Sequence, residues 1–337
     1  MRTKTSLIEE MLAEVWQNYF WVDPMNKLLD NWTPAEADKL LHKGIPSVTQ
    51  IVNHTAFWEE VAARRIAGKT HEDLTQRFDD AHDGLAPSDM PRWPEAAENY
   101  RKQRAAVGSA LDKLSDADLT KPIPGENFTL IWSAVGRAVH DVYHAGQLSY
   151  LHQLQGRETR PEHEMTIPSA LIKYDEKAEL KKFLIDLIDA AWRGQMWLHD
   201  VKTLLENVSS KLASWQPKPN VPTFAEIVYH MKFWKEYVTL PLCGQSNENM
   251  PRAEQANGPG RNLASMPGWD VLRESLLSSH KSFRKAIVAF TERDLMTSMK
   301  IGHPAYDFPY RLIYGIILHD SYHLGQLVLL QEMFNAL

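Results

Sequence analysis

The chain has one cysteine, Cys243, among 337 residues. That excludes a disulfide framework within the chain and any metal site built mainly from thiolates. Long apolar runs are missing too, and no stretch approaches the roughly 18 residues of a membrane span. The opening, MRTKTSLIEEML, lacks the apolar core of a secretory signal, which predicts a cytoplasmic protein. There is no excess of positive charge: a net charge of −6 and a pI near 6.2 argue against nucleic acid or an anionic membrane as partner. Clear period-two alternation is absent, and Lys121 to Phe128 is the one stretch where a short extended piece fits. What is plentiful is apolar surface for a helical core: 44% hydrophobic residues, with eleven tryptophans that would fill it or line a pocket.

Two nonapeptides stand out from this background. HDVYHAGQL, from His140 to Leu148, returns near the C-terminus as HDSYHLGQL, from His319 to Leu327. In each, two histidines lie four residues apart, which on an α-helix places both imidazoles on one face, able to share one metal ion. With 14 histidines in the chain, chance alone supplies roughly one such pair. Chance does not repeat Asp, Tyr, Gly, Gln and Leu at the same offsets around both.

Shifting the chain against itself extends the repeat. At an offset of 176, Trp16 and Trp21 fall on Trp192 and Trp197, His54 on His230, Phe57-Trp58 on Phe233-Trp234, and Trp93 on Trp269. After a net insertion of three residues between about 120 and 135, Gly136, His140 and His144 fall on Gly315, His319 and His323. So long a period means two tandem domains rather than a solenoid. They are placed at residues 1–156 and 176–337, with a polar linker at 157–175 that contains Pro161 and Pro168.

Within each domain the apolar spacing predicts four helices. The first covers about Leu7 to Trp32 (Lys177 to Val208 in the second copy), and Asp23-Pro24 is a candidate interruption. The second spans about Ser47 to Ala67, the third Trp93 to Leu114 and Trp269 to Phe290, the fourth Thr129 to Leu154 and Pro309 to Phe334 with Asp307 as N-cap. The connections Gly68–Pro91 and Gly244–Pro267, equal in length, read as crossovers in an all-α pair of four-helix bundles. His54 and His230 lie on the buried stripe of the second helix. A lone histidine there is ordinarily a hydrogen-bonded core residue; two at matched positions, each with a downstream pair, favour ligation. Gly136, Gly146, Gly315 and Gly325 imply a close approach on the fourth helices, by packing rather than by a ligand.

Each domain thus offers three imidazoles: His54, His140 and His144, then His230, His319 and His323. Such a donor set suits zinc, nickel or ferrous iron and leaves a position open for water or substrate, whereas a structural zinc site is usually closed by a fourth protein ligand. Gln147 and Gln326 lie about one turn beyond the second histidine and, with Tyr143 and Tyr322, are the candidate catalytic residues. Asp141 and Asp320 point about 100° away and are expected to serve the structure or orient the ligands. Asp80, His82 and Asp83 in the first long connection have no equivalents in the second copy and read as a solvated loop.

One histidine on the second helix and HxxxH followed by GQL on the fourth resemble the DinB/YfiT-like superfamily of metal-dependent enzymes, over nearly the whole chain as two tandem domains. The resemblance implies a divalent metal, zinc or nickel, in a left-handed bundle with an up-down-down-up path. It also implies a small-molecule substrate, with relatives that are transferases or isomerases dependent on mycothiol, bacillithiol or glutathione, and homodimers whose contact a tandem chain makes within itself as an intramolecular pseudo-dimer. The expected activity is a metal-dependent transferase or hydrolase. The alternatives are a metal-binding stress or scaffold protein without turnover, and one catalytic domain beside one structural domain.

Overall fold

A computed structural model describes residues 3–17, 21–74, 91–157, 172, 174–247, 250, 266–299 and 307–337. The regular structure among them is helical, with only the isolated bridges Pro122–Thr129 and Arg193–Asp200 outside it. In the N-terminal half the helices are α1 (Thr3–Gln17), α2 (Met25–Leu28), α3 (Pro34–Ala37), α4 (Val48–Ile66), α5 (Glu95–Leu111) and α6 (Leu130–Leu154). In the C-terminal half they are α7 (Leu180–Trp192), α8 (Val201–Glu206), α9 (Ser210–Ser214), α10 (Phe224–Leu242), α11 (Trp269–Ala289) and α12 (Pro309–Asn335).

The two helices that carry the first histidine of each half start alike. Ser47 accepts from the Gln50 amide while the Gln50 side chain returns to the Ser47 amide; Thr223 and Glu226 do the same for α10. These reciprocal caps satisfy donors that a helix start leaves unpaired. Asn53 on α4 donates to the Pro91 carbonyl at 2.7 Å, so α5 begins beside the first half of α4 and the two run in the same direction. Arg65, at the far end of α4, pairs with Glu126 just before α6, so α6 runs back antiparallel. Thr5 at the start of α1 meets Asp116 beyond the end of α5, which sets α1 antiparallel to α5.

Helices α6 and α12 are the spine. From Ser133 to His152 every residue of α6 is buried, and α12 is nearly as enclosed from Pro309 to Leu330. A helix covered on all faces belongs inside, and these two cross each other there. At the crossing, a β-carbon on Gly146 would collide with the Tyr322 carbonyl, and one on Gly325 with the Tyr143 carbonyl. Packing explains both glycines. Polar contacts join the halves around this crossing: Glu10 of α1 takes Arg311 at 2.9 Å and Tyr314 at 2.8 Å, and Tyr150 donates to the Pro222 carbonyl at 2.8 Å.

Three expectations need correction. The first helix is interrupted ahead of Met25, where Asp23-Pro24 is the candidate break, and it is not continuous in the C-terminal half either. In the C-terminal half no proline breaks it; the chain turns out at Gly194 (φ +70°), runs through Met196 and Trp197 with positive φ, and returns at Asp200 to start α8. Gly194 ends α7 there, with the Gln195 amide donating back to the Ala190 carbonyl at 2.9 Å. Asp307 is not the cap of α12: Phe308 takes that place, and Asp307 accepts from Ser298 at 2.7 Å. The second helix begins at Val48, one residue inside the expected start. Asp80, His82 and Asp83 lie outside the described residues, as do most of both long connections and the linker.

Candidate metal centre

The structure brings His54 from α4 together with His140 and His144 from α6, and His230 from α10 together with His319 and His323 from α12; one ligating atom from each lies within 4.8 Å of the others in its group. Spacing of four on α6 puts His144 Nε2 3.2 Å from His140 Nε2. The matching pair on α12 is also 3.2 Å apart, and His230 Nε2 approaches His319 Nε2 to 3.0 Å. Two ligands each about 2.0–2.1 Å from one ion have a similar separation. A neutral imidazole carries a single proton, so three nitrogens aimed at one point include lone pairs that a cation would draw together. The residues present fit a divalent metal.

Burial and neighbouring groups keep His140 and His144 uncharged. Burial first, then His144, Arg137 and His54, hold His140 well below the ordinary imidazole range; burial and His54 do the same for His144. Both are neutral at pH 7, the form that ligates.

Gln147 and Gln326 occupy the same station in both halves. Each Oε1 sits 2.7 Å from Nδ1 of the neighbouring histidine, His144 or His323. A histidine whose Nδ1–H donates to an amide oxygen presents its Nε2 lone pair inward. The tyrosines stand edge-on to the same histidines, Tyr143 to His144 at 5.1 Å between ring centres and Tyr322 to His323 at 5.2 Å. Each also makes a contact across the halves. Tyr322 donates to Asp23 at 2.6 Å, and Tyr143 stacks on His199 at 6.2 Å. Burial, then Glu332, raises the Tyr143 phenol far above its usual range, so it stays protonated.

The walls of the two groups are exchanged between the halves. Trp197 lies against Trp58 at 6.2 Å, Phe128 at 6.0 Å and His140 at 6.4 Å, over Gly136. Trp21 lies against Trp234 and His319, each at 6.2 Å, over Gly315. Any side chain at either glycine would strike the tryptophan ring from the opposite half. The self-comparison of the sequence contains both members of this arrangement, a repeated tryptophan and a repeated glycine, but not that they meet across the halves.

The sequence profile of the DinB superfamily matches residues 22–148 and 195–327, over half of the chain. The chain belongs to the DinB superfamily. Each matched region contains all three histidines of its half. Searches of curated proteins and of solved structures returned no match.

The two DinB regions differ behind the histidines. In the first, Arg137 on α6 reaches Asp141, Glu59 at 3.3 Å and His140 Nδ1 at 3.1 Å, and Tyr100 donates to Asp141 at 3.1 Å. Burial and the adjacent Glu59 push the Asp141 carboxyl up against the pull of Arg137; Glu59 goes down, because the hydrogen bond with Asp141 and the charge of Arg137 outweigh its burial. In the second region, Glu59 is matched by Lys235, Arg137 by Ile316 and Tyr100 by Leu276. Lys235 pairs with Asp320 and lies over the Trp192 ring at 4.8 Å. Asp141 and Asp320 thus face away from the histidines onto buried cations. Sequence reasoning passed over Glu59, Arg137 and Lys235; the signal was a charge reversed between the copies at Glu59 and Lys235, and a charge facing an isoleucine at Arg137.

Proposed function

We propose that the paired three-histidine groups are divalent-cation sites of a metal-dependent enzyme acting on a small molecule, as a thiol-dependent transferase or a hydrolase. The observation that carries this reading is the convergence of three imidazoles in each half, with no fourth histidine, cysteine or carboxylate grouped with them among the described residues. A cation held there, zinc or nickel by the donor set, would supply Lewis acidity and lower the pKa of a bound water or thiol. The chain's own residues do the rest. Gln147 and Gln326 keep His144 and His323 turned inward through Nδ1. Trp58 with Trp197, and Trp234 with Trp21, give the substrate an aromatic wall, and Tyr143 and Tyr322 stand edge-on to His144 and His323. The two halves stand to each other as the two subunits of a dimer, each lending a tryptophan to the other's site.

The second reading is a metal-binding protein without turnover. One observation favours it: among the described residues the carboxylates nearest the triads in sequence, Asp141 and Asp320, are turned onto Arg137 and Lys235 and are not placed to take a proton from a substrate. The test is a metal analysis of protein from its native source. It is followed by a panel of glutathione, bacillithiol and mycothiol with electrophilic acceptors, and of esters and amides, with zinc or nickel present. Turnover that is lost in the double variant His144→Ala/His323→Ala supports the enzyme. Metal-loaded protein silent across the panel supports the second reading.

A further inference from the structure

We infer that the two triads differ in kind: the C-terminal histidines are the resident cation site, and in the N-terminal half Arg137 holds His140 in the tautomer that cannot ligate through Nε2. This rests on the reading of the triads as cation sites.

A guanidinium has five donors and no acceptor. With Arg137 Nη1 at 3.1 Å, His140 Nδ1 must accept, and the single proton of the neutral ring goes to Nε2. That N–H points at His144 Nε2, 3.2 Å away. His144 in turn places its proton on Nδ1, towards the Gln147 oxygen at 2.7 Å. Arg137, His140, His144 and Gln147 therefore form one run of hydrogen bonds, donor to acceptor throughout, with no cation needed. For His140 Nε2 to ligate, its proton would have to move to Nδ1 and face the guanidinium, donor against donor. Arg137 is poorly placed to give way, because it is fully enclosed and tied to Glu59 and Asp141 as well. The usual partner of a ligating histidine is the reverse, an acceptor for the outer N–H.

The C-terminal half has Ile316 where Arg137 stands, and its buried cation, Lys235, comes from α10 and is spent on Asp320. His319 Nε2 lies 3.0 Å from His230 Nε2 and 3.2 Å from His323 Nε2. One proton on His319 satisfies one of these contacts, not both. The rings are also drawn closer: His230 and His319 are 4.9 Å apart between centres, against 5.3 Å for His54 and His140.

The experiment is chelator-competed titration of the full chain with zinc and with nickel. His319→Ala should abolish the tight site and His140→Ala should leave it, with the N-terminal site on the order of 10–100-fold weaker. Arg137→Ile combined with Glu59→Lys transplants the second half's pairing and keeps a cation beside Asp141. It should tighten the N-terminal site by a similar factor. Should that variant fail to fold, long-range proton–nitrogen NMR on metal-free wild type gives the tautomer directly, and Nδ1–H on His140 would overturn the inference. Two sites of equal affinity, one lost with each alanine, would also overturn it while leaving the cation reading intact. Metal uptake unchanged in both alanine variants would overturn the cation reading itself.

Discussion

The two halves share a plan for their histidines and disagree about what lies behind them. The N-terminal half surrounds Asp141 with Arg137, Glu59 and Tyr100; the C-terminal half gives Asp320 a single lysine, and stacks His280 on Trp192 at 3.7 Å where the first half has Arg104 and Trp16. Tryptophan burial divides them again. Trp21 is 6% exposed and Trp197 44%. What the difference teaches is that a buried aspartate beside a histidine pair needs a cation, and that the fold accepts that cation from either the fourth helix or the second. Only the first choice brings a donor to the histidine as well.

The largest expected effect follows from the tryptophans. Trp21→Ala should destabilise the chain by about 3–5 kcal/mol, as truncation of a packed aromatic does. Trp197→Ala should cost about 1 kcal/mol, because nearly half of its side chain is already in water. Denaturant unfolding of the two variants measures both. Equal losses would show that the crossed walls are energetically alike and would erase this part of the comparison.

Next come the glycines at the helix crossing, where the halves should behave alike. Gly146→Ala and Gly325→Ala each push a methyl into backbone of the opposite helix. Overpacking against backbone should cost about 1–3 kcal/mol in spite of the gain in helix propensity. A single cooperative transition that shifts as a whole would mean the two halves unfold together; a split into two transitions would mean that the crossing is what couples them.

Over a single pH unit the effect is smaller, and in the C-terminal half it is read at His280. Burial, then Lys235, Arg284 and Arg193, depress the His280 imidazole from 6.5 to about 2, and its Nδ1 is buried without a hydrogen bond. With the folded value below the unfolded one, the neutral ring contributes its full stability above about pH 6.5. That contribution falls as pH drops through the window towards 2, by no more than ~1.4 kcal/mol per unit. His280→Leu should flatten the acid limb of the stability profile between about pH 6 and 4. An unchanged limb would place the acid sensitivity elsewhere.

Much of the fold is legible in the sequence because it is written twice. The long helices come from apolar spacing that recurs in both halves and the histidine positions from identities at the repeat's offsets, and such identity reports what both halves need. The same method is blind where the halves diverge, so Glu59 against Lys235 and Arg137 against Ile316 carried no weight, although they decide what surrounds Asp141 and Asp320. The break after α7 was passed over for another reason. Its signal is local and lies outside apolar spacing: Gly194 takes φ +70° just past the end of α7, the Gln195 amide donates back to the Ala190 carbonyl at 2.9 Å, and Asp200 caps α8. Trp197, carried on that turn, packs on Gly136 some sixty residues earlier in the chain. Asp307 failed as a cap because its carboxylate is already taken by Ser298.

The exchange of Trp21 and Trp197 has a consequence for assembly. In two separate chains, a wall lent by a neighbour would be present only above the concentration at which the chains associate, and two unlike chains would also sort into like pairs. Joining the halves in one chain makes the encounter intramolecular, so it no longer depends on the concentration of the protein. Both sites then keep their walls at any dilution, and unlike halves are always partnered one to one. That fixed pairing is what allows the two halves to carry different charges behind the same three histidines without either having to work against a copy of itself.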